Sequence, residues 1–200
     1  MSQVASPPSD LTEFPAFSLL PDEIAFRIHH MDYGPWWFNS RGGGRFDLPH
    51  PLGTCYLAAA GIGAFVEAFQ RSGVTIPTDH VLTRRLSRLR VPHPIRLADA
   101  TGSRARGFGL TGDIHSSTDR AWTQTWAMAF AAAGFQGIRY LVRHDPAQRQ
   151  VGYALFGTSG AVDWPIESTN IIDEDLIRDV QERFGIVVLQ LRRLGPSGRY

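Results

Sequence analysis

The chain has 200 residues, of which 43% are hydrophobic, and a formal net charge of +1. This length and composition predict one domain with a packed core, and the near-neutral charge gives no general attraction to nucleic acid. The sequence has no long apolar run, no secretory signal pattern and only one cysteine, Cys55, so we expect a cytoplasmic protein without a membrane span. We interpret Cys55 as a small buried side chain.

The first strand is predicted where apolar and polar side chains begin to alternate. Residues 1–20 show no such pattern, and we expect them to form a flexible N-terminal tail or a strap. Ile24, Phe26 and Ile28 then alternate with polar residues, which predicts a strand with Arg27 on the face opposite Phe26. Arg27 is either an exposed strand residue or a ligand contact, because a guanidinium can bind a pyrophosphate or a ribose hydroxyl.

A loop rich in glycine and aromatic residues follows this strand. Three successive glycines, Gly42–Gly44, allow the backbone to approach a ligand closely. The loop also contains four aromatic residues, Tyr33, Trp36, Trp37 and Phe38. Their rings either close one end of the core or form the wall of a slot for a planar ring of a ligand. The loop has neither the GxGxxG spacing of a dinucleotide-binding fold nor a Walker motif.

A helix carrying Glu67 is the next predicted element. Its apolar face is formed by residues at i, i+3, i+4 and i+7, namely Ile62, Phe65, Val66 and Phe69. Glu67 points nearly opposite that face, toward a side of the helix where the other residues are small. The carboxylate is therefore either an exposed partner of Arg71, four residues later, or a group facing a ligand.

The rest of the chain predicts alternating strands and helices. The predicted strands are Leu86–Val91, Ile95–Asp99, Gly137–Val142, Gly152–Phe156 and Ile186–Leu191. A helix with Trp122, Trp126 and Phe130 on one face is expected to begin near residues 116–119 and to end near 133, and a second helix is expected over 173–184. A cluster of arginines at positions 84, 85, 88, 90 and 96 forms either a solvated sheet face or a site for phosphate or an acidic partner.

The order of several short motifs resembles the RES domain family. These motifs are FRIHH with Arg27, GRF with Arg45, GTCYLAA with Tyr56 and AFVEAF with Glu67, followed downstream by AAAGFQGIRY, HD and YALF. The resemblance spans residues 26–156. It implies the toxin of a RES–Xre toxin–antitoxin pair, an enzyme that degrades NAD⁺ and has a fold similar to that of ADP-ribosyltransferases.

The resemblance also implies a fold and a division of the chain. We expect a single α+β domain with a split, mixed or antiparallel sheet and flanking helices. Residues 21–160 would form the RES-like NAD-binding domain, and residues 161–200 would complete it with a helix and a strand that joins the sheet. The implied partners are NAD⁺ and an Xre-type helix-turn-helix antitoxin, without a membrane or direct nucleic-acid contact, and a homodimer is left open.

By the same resemblance, Glu67 and Arg27 would be catalytic, and Arg45, Tyr56 and Tyr33 would bind the substrate. NAD⁺ would be a substrate rather than a resident cofactor, and no metal is implied. The sequence departs from the family pattern after the Arg139–Tyr140 pair, where Val142 takes the place expected for a serine. A valine cannot hydrogen-bond a ribose or orient a carboxylate.

Three functions therefore stay open at this point. The first is cleavage of the nicotinamide–ribose bond of NAD⁺ with water or phosphate as the acceptor. The second is transfer of ADP-ribose to a macromolecule. The third is a RES-like module without catalysis that binds NAD⁺ or a partner protein, which the valine at position 142 would favour.

Overall fold

The computed structural model describes residues 5–69 and 73–189 of the chain. An eight-stranded sheet has the strand order β1-β7-β8-β9-β4-β2-β6-β11. Its strands are β1 (Ala16–Leu19), β2 (Ile24–His30), β4 (Leu52–Ala58), β6 (Arg84–Arg90), β7 (Ile95–Asp99), β8 (Gly137–Leu141), β9 (Val151–Thr158) and β11 (Ile166–Asn170). All neighbouring strands are antiparallel except β7 and β8, which are parallel. The sheet is therefore mixed and mostly antiparallel, as predicted.

Two smaller ladders and the helices flank this sheet. β3 (Trp37–Phe38) pairs with β10 (Gly160–Ala161), and β5 (Thr75–Pro77) pairs with β12 (Val187–Leu189). The helices are α1 (Gly61–Ala68), α2 (Thr78–Leu82), α3 (Asp113–Ser116), α4 (Arg120–Ala132) and α5 (Glu174–Phe184), with a 3₁₀ helix over Ser103–Phe108. No helix in the described ranges is long and apolar enough to cross a membrane.

The sheet opens between β2 and β4. These two strands share one pair of residues, Phe26 and Ala58, whereas β2 pairs with β6, and β4 with β9, over seven residues each. The ladder therefore divides into a half formed by β1, β7, β8, β9 and β4 and a half formed by β2, β6 and β11. This is the split sheet that the family resemblance implies, and it leaves space between the halves.

Buried side chains on the two faces of the sheet belong to different clusters. Trp126 and Phe130 of α4 pack with Ile138 and Ala154 on one face, while the neighbouring Leu155 packs on the other. This alternation follows from the period of two in a strand. A third cluster joins the apolar face of α1 to Val180 of α5. The periodic patterns that predicted α1 and α4 therefore correspond to buried faces.

The prediction of a flexible tail over residues 1–20 is wrong for residues 11–19. Leu11 and Phe14 are buried against α4, and β1 pairs with β7 at the edge of the large sheet. The segment lacks alternation because β1 has only four residues. The alternative of a strap fits better, because the indole N–H groups of Trp122 and Trp126 both donate to the carbonyl oxygen of Ala5, at 2.8 and 3.2 Å.

The prediction for the C-terminal strand needs a second correction. β12 exists, but it pairs with β5 in a separate two-stranded ladder instead of joining the large sheet. Periodicity identifies a strand but does not identify its partner. The last two residues of the predicted strand, at positions 190 and 191, lie outside the described residues.

Candidate active site

A cavity of about 300 Å³ lies where the sheet opens between β2 and β4. Its lining comes from β2, the Gly-rich loop, β4, α1, the segment that starts α4 and the β8–β9 connection. The lining residues are Phe26, Arg27, Ile28, Gly43, Gly44, Arg45, Tyr56, Leu57, Ala64, Glu67, Ala68, Thr118, Arg120 and Arg143. Four of the five residues singled out by the resemblance, Arg27, Arg45, Tyr56 and Glu67, therefore meet in one place.

Glu67 brings a buried carboxylate to this cavity from α1. The apolar face of the helix is in the core, and Ala64, Glu67 and Ala68 line the cavity on the other side. The Oε2 atom of Glu67 is buried and has no hydrogen-bond partner in the part of the chain that the structure describes. The proposed partner Arg71 lies outside the described residues. The carboxylate therefore faces the cavity and not bulk solvent.

Burial raises the pKa of Glu67, and neighbouring groups oppose this effect. The guanidinium groups of Arg45 and Arg143 and the hydroxyl of Tyr140 act to lower that pKa. The Tyr140 hydroxyl is close enough to influence Glu67, but it too is buried without a hydrogen bond of normal geometry to the described residues. Acceptor and donor atoms that are buried without partners are rare in native proteins and are available to a ligand.

Arg45 is held in place on one side and free on the other. Its side chain is only 9% exposed. The Nη1 atom donates to the carbonyl oxygens of Ile114 and His115, at 3.2 and 2.6 Å. The guanidinium lies 5.1 and 5.2 Å from the ring centres of Phe46 and Tyr140. Its Nη2 atom is buried and has no partner among the described residues.

Arg27 is anchored in a similar way on the opposite wall. Its Nη1 atom donates to the carbonyl oxygens of Pro35 and Trp37, at 2.5 and 3.1 Å, and lies 2.9 Å from the sulfur of Cys55. Cys55 is buried, and burial raises the pKa of its thiol, so it remains a neutral, packed side chain as predicted. The arginine therefore also fixes the path of the aromatic loop.

Tyr56 contributes a ring to the cavity, whereas its hydroxyl is occupied. The hydroxyl accepts a hydrogen bond from the backbone N–H of Phe46 at 2.8 Å and donates one to Asp47 at 2.9 Å. Burial and the adjacent carboxylate raise the pKa of Tyr56 well above its usual value. Tyr56 is therefore neutral near pH 7, and it can form a wall of the cavity but is not arranged to exchange protons.

Tyr33 does not belong to this group. It is 56% exposed, packs against Trp37 with ring centres 6.1 Å apart, and is not among the described residues that line the cavity. Its neighbours Trp36 and Phe38 are buried in the core. The aromatic loop therefore closes the core with two rings and exposes the other two. The assignment of Tyr33 to substrate binding has no support from its position.

Three lining residues were missed by the sequence analysis. Thr118 and Arg120 flank Asp119, whose carboxylate caps α4 by accepting the Trp122 N–H at 3.0 Å. The segment 116–119 was recognised only as a source of helix caps. Arg143 follows β8 and approaches Glu67 closely enough to affect its pKa. All three reach the cavity through long-range packing, for which the sequence has no local signal.

Val142 is buried at the place where the family pattern predicts a serine. It is 1% exposed, its backbone N–H donates to the carbonyl oxygen of Gln150 at 2.8 Å, and it is not among the described residues that line the cavity. Thr118 instead provides a hydroxyl-bearing side chain to the lining. The valine is therefore compatible with an intact site, and the place expected for the serine stays a prediction.

The arginines of the cluster on β6 and β7 are not among the described residues that line the cavity, although Arg88 lies 5.4 Å from the ring centre of the lining residue Phe26. Arg88 and Arg90 pair with Glu167 of β11 at 3.1 and 3.5 Å, and Arg90 also pairs with Asp22 at 3.4 Å. These exposed ion pairs agree with a solvated sheet face. Within the described ranges, no group of three or more His, Cys, Asp or Glu side chains is placed to hold a metal ion. The chemistry of the cavity thus comes from one carboxylate and several guanidinium groups.

Comparisons with known proteins place this arrangement in a family. A chain in the crystal structure of the M. tuberculosis MbcT–MbcA toxin–antitoxin complex has a similar fold, with a TM-score of 0.65 and 18% sequence identity over 82% of this chain and 92% of that chain. A comparison with curated proteins gave no match. The family model described as RES domain matches residues 24–177, which include β2 and β4 on the two sides of the opening and all of the described cavity lining. The chain therefore belongs to the RES domain family.

Proposed function

We propose that the protein is a RES-type toxin that cleaves the nicotinamide–ribose bond of NAD⁺. The observation that carries this proposal is a pair of unpartnered polar atoms in one cavity. Glu67 Oε2 and Arg45 Nη2 are both buried and both lack hydrogen bonds to the described residues. A carboxylate and a guanidinium left free at the same site match a ligand with a cationic and an anionic part, and NAD⁺ has both in its nicotinamide and its pyrophosphate.

The reaction requires little acid catalysis. The bond between the ribose carbon and the nicotinamide nitrogen breaks, both electrons go to nitrogen, and nicotinamide leaves as a neutral base. The ribose develops oxocarbenium character, as a sugar does in glycoside hydrolysis. Glu67 would stabilise this positive charge through a carboxylate that is already in place. Water then adds to the ribose carbon and releases a proton, giving ADP-ribose, whereas phosphate would give ADP-ribose 1″-phosphate.

Arg27 and Arg45 would bind the pyrophosphate. Each guanidinium is fixed by hydrogen bonds from one Nη atom to backbone carbonyls, so little side-chain freedom is lost on binding. The ring of Tyr56 would pack against the nicotinamide or its ribose. Orientation of this kind can account for a large part of a rate enhancement when the reacting groups are held close together.

Thr118 and Arg143 support an enzyme over a module without catalysis. The absence of a serine at position 142 was the main argument for an inactive module, but Val142 is buried and is not among the described residues that line the cavity. Thr118 offers a hydroxyl for a ribose or an attacking water, and Arg143 adds positive charge near Glu67. NAD⁺ acts here as a substrate, and the proposed chemistry uses no resident cofactor.

The proposed biological role follows from the family and from the structural relative. The similar chain belongs to a complex described as a toxin with its antitoxin. We propose that this protein also acts inside the cell and is held inactive by an antitoxin, of the Xre helix-turn-helix type. Formation of a stable complex with the product of an adjacent reading frame of that type, with loss of activity, would test this part of the proposal.

The first experiment is to incubate the purified protein with NAD⁺, with and without phosphate, and to identify the products by mass. Loss of NAD⁺ with release of nicotinamide is expected, and the second product identifies the acceptor. Glu67→Ala should abolish the loss while the protein remains folded by circular dichroism. Full turnover by Glu67→Ala would contradict the proposal. Label from NAD⁺ found in a macromolecule would favour a transferase, and binding of NAD⁺ without turnover would favour a binding module.

A further inference from the structure

Asp47 is a buried carboxylate that joins three parts of the cavity wall without lining the cavity itself. Its side chain is 2% exposed. One oxygen, Oδ2, accepts hydrogen bonds from the backbone N–H of Gly44 at 2.9 Å and from the side-chain amide of Asn39 at 2.8 Å. The other, Oδ1, accepts the hydroxyl proton of Tyr56 at 2.9 Å. Two of these three donors belong to residues of the lining.

The Gly-rich loop packs directly on this pair of side chains. A Cβ atom added to Gly44 would lie 2.4 Å from Asp47 Oδ1 and 2.4 Å from the Tyr56 hydroxyl oxygen, closer than real Cβ contacts. From the other side, the amide of Gln124 donates to the Gly44 carbonyl at 2.8 Å. The backbone just before Arg45 is therefore held between α4 and the Asp47 carboxylate. Only glycine allows so close an approach here.

We propose that Asp47 is a positioning residue for substrate binding, an inference that rests on the proposed NAD⁺ site. Asp47 fixes the orientation of the Tyr56 ring through the hydroxyl and fixes the start of Arg45 through Gly44. These two groups come from β4 and from the loop, which are also joined by the Phe46 N–H donating to the Tyr56 hydroxyl at 2.8 Å and by the Thr54 hydroxyl donating to the Phe46 carbonyl at 2.8 Å. A shift of about 1 Å in such groups can reduce activity by about 100-fold. Asp47 thus acts on substrate through the residues that it holds.

Asp47→Asn is the sharpest test because it keeps the size of the side chain. An amide has one acceptor oxygen, so it can receive either the hydroxyl of Tyr56 or the pair of donors from Gly44 and Asn39. The loop and the ring cannot both keep their present hydrogen bonds, because the amide nitrogen can donate to the Tyr56 hydroxyl oxygen but cannot accept its proton. Because Arg45 and Tyr56 bind the substrate in its ground state, we expect the KM for NAD⁺ to rise about 10- to 100-fold while kcat changes by less than about threefold.

Asp99→Asn is the matched control. Asp99 also accepts from a backbone N–H and a hydroxyl, both from Thr101, at 3.1 and 2.6 Å, and it pairs with Arg139 at 3.2 Å. None of these residues is in the described lining of the cavity. This control should lower the melting temperature and leave both kinetic constants unchanged. A wild-type KM in Asp47→Asn, or an equal rise of KM in Asp99→Asn, would overturn the inference.

Tyr56→Phe gives an independent measurement if Asp47→Asn does not fold. It removes only the hydroxyl, so its KM should rise about threefold to tenfold if Asp47 acts through that group. Where Asp47→Asn does fold, the two effects on KM in a double-mutant cycle should be less than additive, because both changes remove the same hydrogen bond. A wild-type KM in Tyr56→Phe, or full additivity of the two changes, would contradict the role of the Asp47–Tyr56 bond.

Failure of the proposed reaction can be separated from failure of this inference. Binding of NAD⁺ is measured by calorimetry in two proteins, Glu67→Gln and the double variant Asp47→Asn/Glu67→Gln. The change at Glu67 prevents turnover in both. If the protein binds NAD⁺ but does not cleave it, the proposed reaction fails, and the ratio of the two dissociation constants then decides the inference. A ratio near one overturns it, and a ratio of about ten or more supports it.

Discussion

The Nη1 atom of Arg45 lies 2.6 Å from the backbone carbonyl oxygen of His115, a residue 70 positions later in the chain. The contact is reinforced by Thr123, whose hydroxyl donates to the carbonyl oxygen of Arg45 at 2.5 Å. The Gly-rich loop and the segment before α4 thus hold each other at the edge of the cavity. Arg45 is therefore both a link between two segments and a candidate ligand for the substrate.

Arg45→Lys should separate these two roles. Lysine has one terminal nitrogen where arginine has two, so a nitrogen that donates to the carbonyls of Ile114 and His115 cannot also occupy the Nη2 position that is free at the cavity. We expect the protein to fold and the KM for NAD⁺ to rise about tenfold or more, measured by steady-state kinetics. Arg41→Lys, an exposed change in the same loop, is the control and should leave KM unchanged. Equal KM values for the two variants would show that NAD⁺ binding does not depend on the second nitrogen of the Arg45 guanidinium.

His115 should make the protein less stable in mild acid. Burial and the nearby Arg45 lower its pKa from 6.5 to about 4, so the folded protein resists protonation in a range where the unfolded chain accepts a proton. The free energy of unfolding should therefore fall as the pH decreases from about 6.5 to about 4, and His115 alone would account for about 3 kcal/mol of that fall.

His115→Asn is the variant that tests this. The Nδ1 atom of His115 accepts the N–H of Leu141 at 3.3 Å, and an asparagine oxygen can replace it without titrating. Urea unfolding at several pH values should show a shallower decline below pH 6.5 for this variant. His80→Gln changes an exposed histidine and should keep the wild-type slope. The same slope in all three proteins would mean that His115 titrates normally.

The sequence predicted those parts of the site that depend on local pattern. The helix carrying Glu67 has a complete apolar face, and the motifs around Arg27, Arg45 and Tyr56 follow in the order of the family, so these four residues were found. Tyr33 stays a prediction without support from its position, because its place in the loop near Arg27 does not determine the direction of its side chain. Its ring turns toward solvent.

The parts of the site and of the fold that the sequence did not predict depend on how distant segments pack. Thr118, Arg120 and Arg143 enter the cavity from α4 and from the β8–β9 connection, and no spacing in the sequence relates them to Glu67. The short strands β3 and β10 have two residues each, too few for a period of two to be recognised. β11 was also missed, because its sequence, IESTN, is mostly polar and lies at the sheet edge.

Thr118 should contribute through its hydroxyl. Thr118→Val keeps the shape of the side chain and removes the donor and acceptor, so we expect kcat/KM for NAD⁺ to fall about tenfold, the effect of losing one hydrogen bond. Thr118→Ser keeps the hydroxyl and should remain within about threefold of the wild type. The control is Thr125→Val on the exposed side of α4, where the hydroxyl only bonds to the Ala121 carbonyl. Activity of Thr118→Val equal to that of this control would exclude a role for the hydroxyl.

Glu67→Gln should abolish turnover and stabilise the fold. Since burial raises the pKa of Glu67, the ionised carboxylate is less favourable in the folded protein than in the unfolded chain. The wild type therefore loses stability as the pH rises from about 4.5 through the raised pKa, and the cost persists at higher pH. An amide of the same size avoids this cost. The variant should therefore have the same free energy of unfolding as the wild type below about pH 4.5 and a higher one at neutral pH.

Thermal unfolding of the two proteins across this range is the measurement. At neutral pH the variant should melt higher, by about 2–4 °C for each kcal/mol gained in a chain of this size. Higher stability together with lost activity would identify Glu67 as a group placed for function at a cost to folding, as expected for an active-site residue. A variant that melts lower at neutral pH would instead show that Arg45 and Arg143 need the carboxylate charge as a structural partner, and the free Oε2 atom would then carry no argument for a ligand.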